Sequence, residues 1–224
     1  MFYKEAEQIN KILADFQSDQ INPIIEIGSS TSDFRETKKP HINKFIHQYL
    51  SLRNIRIYTS DLKSGAGIDL SGDIFEESFS ESLRLLNPKM VLCCNILEHV
   101  KNPELFAKIV SSLIQRNCHI ICSVPLDYPY HPDPIDNLLR PSPDEIAQLF
   151  HGTTLISSWV ISGDSYKERL LSMGISSALF FFLKEVIRFI FLLFTLRYNK
   201  ALNTRIFWLN KRFKTSLVLL RKDR

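Results

Sequence analysis

The sequence predicts an α/β fold, a mostly parallel sheet with helices on both faces. Three observations carry this. Short apolar runs alternate with amphipathic helical stretches over the first 125 residues. The runs are near-continuous in Val, Ile, Leu and Cys, as strands buried on both faces require. Each run then ends in glycine or polar residues, where an open parallel sheet places its ligand-binding edge.

Taken in order, residues 4–17 set Ala6, Ile9, Ile12, Leu13 and Phe16 at helical spacing. Ile24 to Ile27 forms a strand running into a tight turn at Gly28. His41 to Leu52 is amphipathic through Ile42, Phe45, Ile46 and Tyr49. Ile55 to Thr59 alternates like a strand and stops at Ser60-Asp61. A turn at Ser64 to Gly67 leads to Ile68-Asp69-Leu70 and then Gly72-Asp73. Phe75 to Leu86 is helical, Met90 to Cys94 is a buried strand ending at Asn95, and a helix runs from about Pro103 to Ile114. His119 to Val124 is a further strand, stopped by Pro125. A proline-rich stretch follows to Pro143, and Ser142 with Glu145 caps a short helix. Thr153 to Ser162 is strand-like, Ala178 to Leu196 strongly apolar, and Thr215 to Leu220 a last strand.

The composition, 45% hydrophobic and 23% charged, is that of a globular chain able to bury a core. Charge is unevenly spread. Residues 184–224 hold 11 Lys/Arg against 2 Asp/Glu, a net +9, which leaves −5 on the rest. A basic tail on an acidic body suits an anionic partner, lipid or nucleic acid. Cys93, Cys94, Cys118 and Cys122 lie in apolar, strand-like runs without a CxxC pair, so no metal site is expected, and reduced thiols imply a cytoplasmic setting. The first residues lack the apolar run of a signal peptide.

The chemistry should sit at the strand ends. Gly28 lets the backbone approach a ligand, and Ser29, Ser30 and Thr31 offer N–H and hydroxyl donors. Asp61, followed by Leu62, can accept from a ribose diol. Asp73, followed by Ile74, can accept from an adenine amine. Asn95 and Ile96 open the stretch Asn95-Ile-Leu-Glu98-His99-Val-Lys-Asn-Pro103.

In these three stretches the chain resembles the class I S-adenosylmethionine-dependent methyltransferases of the small-molecule type. The likeness spans roughly residues 20–160, with the strand at 215–221 as the family's last, antiparallel one. It implies a Rossmann-like seven-stranded sheet and S-adenosylmethionine as cofactor. Glu26 and Gly28 would shape the cofactor turn, with Ser29 and Ser30 beside them. Asp61 and Leu62 would meet the ribose, Asp73 and Ile74 the adenine, and Asn95 and Ile96 the methionine part. The family commonly carries two or three glycines in the first turn, whereas here serines follow Gly28. A non-catalytic methyltransferase-like subunit, self-associating or docking a partner through the tail, is the alternative function.

His99 and His131 are the candidate bases, with Glu98 able to orient either. His99 could instead cap or pack beneath the next helix. After the fifth strand, His131, Asp133, Asp136 and Arg140 could contact a small-molecule, glycan or lipid-linked acceptor, or Arg140 could pair with an aspartate only to hold the loop's shape.

The expected organisation is a methyltransferase-like domain over residues 1–165 and 213–224. An apolar, basic helical insertion fills 166–212. In its phenylalanine-rich stretch from Ile175 to Leu196, Lys184, Glu185 and Arg188 argue against a membrane span and for an interfacial helix. Arg197, Lys200, Arg205, Lys211, Arg212 and Lys214 then suit anionic head groups. The expected placement is cytoplasmic and peripheral to the membrane, with self-association as the rival and nucleic acid ranked low.

Overall fold

A computed structural model describes residues 1–131, 135–172, 174–194 and 209–223. Seven strands form one sheet in the order β3-β2-β1-β4-β5-β7-β6. They are β1 (Ile24–Ile27), β2 (Ile57–Asp61), β3 (Leu70–Ser71), β4 (Met90–Cys94), β5 (His119–Asp127), β6 (Thr153–Ser165) and β7 (Arg212–Lys222). β1 to β5 pair in parallel, and β7 runs antiparallel between β5 and β6. The expected seven-stranded sheet with an antiparallel last strand is what the chain forms.

The continuous apolar strands are explained by their alternation. Ile25, Ile27, Val91 and Cys93 enter one core with Phe106, Ala107 and Val110 of α6 (Pro103–Leu113), Leu83 of α5 (Glu77–Leu85) and Ile146 of α7 (Pro143–Leu149). Ile24, Met90 and Leu92 point the other way, onto Ile9, Ile12 and Leu13 of α1 (Tyr3–Ala14) and Ile42, Ile46 and Leu50. With period-2 side chains and a helical layer on each face, most strand positions are buried and apolar.

Boundaries differ from the sequence reading for local reasons. α1 stops at Ala14, and a separate turn of helix, α2 (Ser18–Ile21), follows. The 41–52 segment is divided into short α-helical pieces, α3 (Pro40–Ile42) and α4 (Gln48–Leu52), by a π-helical turn at Asn43–His47, and a further π-helical turn, Phe34–Lys38, precedes it. β5 passes through Pro125 to Asp127, because the missing N–H falls where the register with β7 shifts between these two residues. Cys118 lies in the turn before β5 rather than within it. β6 and β7 each extend beyond the expected span, since their pairing with one another continues to Ser165 and Arg212.

After β6 come α8 (Tyr166–Ser172) and α9 (Ile175–Phe194). Tyr166, Leu170 and Phe213 form a small cluster that takes in Phe182 of α9 and Phe2. The opposite side of α9 is open to solvent, with Phe180 64%, Ile187 67% and Phe194 83% exposed. Among the described residues, no helix is long and apolar enough to cross a membrane. The basic positions Arg197, Lys200 and Arg205 lie outside the described residues.

Candidate functional site

At the carboxyl ends of β1, β2 and β4 the chain encloses a cavity of about 1020 Å³. Its first wall is the turn after β1. Gly28 has φ +73, a backbone conformation that favours glycine, and a Cβ built there would stand 2.8 Å from Ile96 Cδ1, which would have to shift. Gly28 and Ser29 donate their N–H groups to Ser60 O at 2.8 and 3.0 Å. Ser30 also sits in the left-handed region, at φ 59, which costs a serine about 1 kcal/mol.

Side chains replace the glycines that this turn lacks. Asp61 Oδ2 accepts from the Ser30 N–H at 2.9 Å. Arg35, 5% exposed, donates to Ser29 O at 3.1 Å, to Ser30 O, and to Gly67 O at 2.6 Å. Arg35 went unnoticed in the sequence because a lone arginine in a polar stretch reads as solvated. Glu26 is 6% exposed beneath the turn, with its Oε2 at 3.0 Å from His47 Nε2.

A second wall carries Leu62, Asp73 and Ile74, with Phe75, Phe79 and Phe106 as apolar neighbours. Asp73 Oδ1 also accepts from the Phe75 N–H at 3.0 Å. Between the walls, Asn95 adopts φ 55 and donates its N–H to Ser123 O at 2.8 Å. Its side-chain amide donates to Glu5 Oε1 at 2.7 Å, and Ser123 Oγ–H donates to the same oxygen at 2.7 Å. Glu5, 1% exposed on α1, lines the cavity. It was missed, although a signal existed: Glu5 shares the helical face of Ile9, Ile12 and Leu13, an acid where the spacing calls for an apolar residue.

The far end of the cavity carries Glu98, His99 and His131. Glu98 is 1% exposed, and burial pushes its carboxyl up to about 8. Its Oε1 lies 3.7 Å from His99 Nε2, and its Oε2 has no hydrogen-bond partner. His99 Nδ1 donates to Ile135 O. The two histidine rings stand edge to face, 5.1 Å apart. Burial holds His131 below the usual histidine range; Asp136 opposes this, while His99 and Arg140 add to it.

Asp136 and Arg140 do not line the cavity. They form a two-pronged pair, at 3.1 Å to Oδ1 and 2.7 Å to Oδ2. Although burial works the other way, Arg140 holds the Asp136 carboxyl below its usual range. Asp136 also accepts from the His131 and Leu138 N–H groups, so the pair holds the loop and the backbone of His131. Asp133, the remaining acceptor-contact candidate, lies outside the described residues. The structure thus brings Gly28, Ser29, Ser30, Asp61, Leu62, Asp73, Ile74, Asn95 and Ile96 to one cavity with both histidines, and Glu26 to its floor.

No family model matches the chain, and no curated protein matches it in sequence. Solved structures do match in shape. Coclaurine N-methyltransferase, bound to N-methylheliamine and SAH, aligns at a TM-score of 0.52 and 14% identity, over 96% of this chain and 71% of the other. MccD protein aligns at 0.54 and 11% identity, over 97% and 96%. TehB from Haemophilus influenzae aligns at 0.51 and 9% identity, over 98% and 62%.

Proposed function

The chain has the class I S-adenosylmethionine-dependent methyltransferase fold, and we propose that on it this protein binds S-adenosylmethionine and methylates a small-molecule, glycan or lipid-linked acceptor. The observation that carries this is the single cavity running from the Gly28 turn and Asp61 to the two histidines. Its volume suits a nucleoside cofactor with an acceptor beside it.

The residues present fit the cofactor. Gly28 leaves no side chain between backbone and ligand, and Asp61 keeps free lone pairs for ribose hydroxyls after accepting from Ser30 and Lys63. Asp73 and Ile74 suit the adenine, and Asn95, held by Glu5, borders the methionine part. When bound, the cofactor supplies a methyl group activated on a sulfonium. The protein's part is alignment first, and a base only where the acceptor must lose a proton. His131, kept neutral by burial, and His99 are the groups able to take that proton.

Calorimetry with S-adenosylhomocysteine tests this. The expected result is one site per chain, weakened about ten- to a hundredfold in Asp61→Ala through loss of charge-assisted hydrogen bonds. No heat at millimolar ligand would remove the cofactor and leave the non-catalytic subunit as the function.

A second reading concerns α9, which exposes Leu179, Phe180, Leu183, Ile187, Phe191 and Phe194 while Arg188 pairs with Glu185 at 3.6 Å. An apolar helix face of this extent needs a cover. With the adjoining basic residues, it suits an anionic membrane surface on the cytoplasmic side, where a lipid-linked acceptor would also be presented. The protein should float with anionic vesicles, and Phe180→Glu with Phe191→Glu should abolish flotation. Concentration-dependent dimerisation without flotation would favour self-association instead.

A further inference from the structure

We propose that Glu98, His99 and His131 form a binding site for one divalent transition-metal cation at the acceptor end of the cavity. Each residue offers one ligand atom, and the three atoms lie within 4.8 Å of one another. In a tetrahedral zinc site with bonds of about 2.0–2.1 Å, ligand atoms stand about 3.3 Å apart. Side-chain rotations of about 1 Å therefore close the set around an ion.

Three features of the surroundings point to a cation. First, Glu98 is 1% exposed, and its Oε2 finds no hydrogen-bond partner. A buried carboxyl oxygen without a partner is costly, and a bound cation is one of the few groups that satisfies it. Second, both histidines have their Nδ1 atoms tied as donors. His99 Nδ1–H goes to Ile135 O, and His131 Nδ1 faces Asp136 Oδ2 at 3.2 Å and Pro129 O at 3.4 Å, both acceptors. The proton on Nδ1 leaves the Nε2 lone pair free in each ring. That carboxylate– or carbonyl–histidine arrangement sets the tautomer that a metal needs. Third, the ligands come from two segments, the turn Leu97–His99 and the loop after β5, which meet at the cavity with no hydrogen bond between the two rings.

Two imidazoles and one carboxylate suit Zn²⁺, Mn²⁺, Fe²⁺ or Co²⁺ better than Ca²⁺ or Mg²⁺. Three protein ligands leave at least one coordination position open toward the cavity. If the proposed methyl transfer holds, an oxygen of the acceptor takes that position, and with both Nε2 atoms ligating, the ion replaces the histidines as the group that favours loss of its proton. The Asp136–Arg140 pair takes on a purpose here, since it positions His131 from behind.

The test uses the full chain, freed of metal with a chelator and titrated with Co²⁺. The expected result is one equivalent bound, with a visible absorption band that Zn²⁺ abolishes. Glu98→Gln, which keeps shape and removes charge, should weaken Co²⁺ binding at least tenfold. His99→Ala and His131→Ala should do the same, while His151→Ala, an exposed histidine beyond α7, should bind as the parent does. Zn²⁺ should raise the unfolding temperature of the parent and not of Glu98→Gln. Absence of saturable Co²⁺ binding, or equal binding in all three variants, overturns the site. No S-adenosyl ligand enters this experiment, so its failure leaves methyl transfer standing.

Discussion

Replacing Gly28 with valine should reduce S-adenosylhomocysteine affinity by at least a hundredfold while the chain stays folded. Two penalties act together. At φ +73 a β-branched residue is strained by about 1–3 kcal/mol. The first side-chain carbon would also stand 2.8 Å from Ile96 Cδ1, in a wall of the cavity. Valine cannot relieve that contact without moving Ile96 or lifting the turn. Lifting the turn disturbs the Ser30 N–H bond to Asp61 and the carbonyls held by Arg35, and moving Ile96 reshapes the cavity wall. Calorimetry reads the affinity, and thermal unfolding reads the smaller stability loss. Unchanged affinity with a normal fold would place the cofactor elsewhere in the cavity.

Phe106→Ala should destabilise the domain by about 3–5 kcal/mol, the range for removing a buried phenylalanine. Phe106 is 0% exposed on α6, in the core that joins β1, β4, β5 and β7. It also lines the cavity, 6.4 Å from the Phe75 ring. Its removal opens a void that neighbouring helices can fill only in part. The denaturant midpoint should fall with an unchanged slope, which marks a stability loss rather than a change in unfolding cooperativity. A loss below about 1 kcal/mol would mean that the core collapses freely at this position.

Much of the fold was legible because its determinants are local. The runs Ile24–Ile27, Met90–Cys94 and Ile120–Val124 are each short, apolar and bounded by turns. Their lack of alternation states that both faces are covered. The order of strand-end residues, Gly28, Asp61, Asp73 and Asn95, was legible for the same reason, since strand direction alone carries them to one edge of the sheet. The break in the 41–52 segment and the passage of β5 through Pro125 were not. They depend on how neighbouring elements accept a π-turn or a register shift.

By itself, then, the sequence determined the layered sheet, the edge at which its polar strand ends gather, and the single glycine on which the first turn depends. Only the tertiary structure decided what holds that edge in shape. Glu5 reaches Asn95 and Ser123, 90 and 118 residues away, Arg35 clamps the Ser29-Ser30 turn to Gly67, and Arg140 is bound to Asp136 behind His131. Glu98, His99 and His131 converge only because β4 and β5 lie side by side. Periodicity records which face a residue occupies. Hydrogen bonds between distant segments depend on where whole elements dock, and no local pattern encodes that.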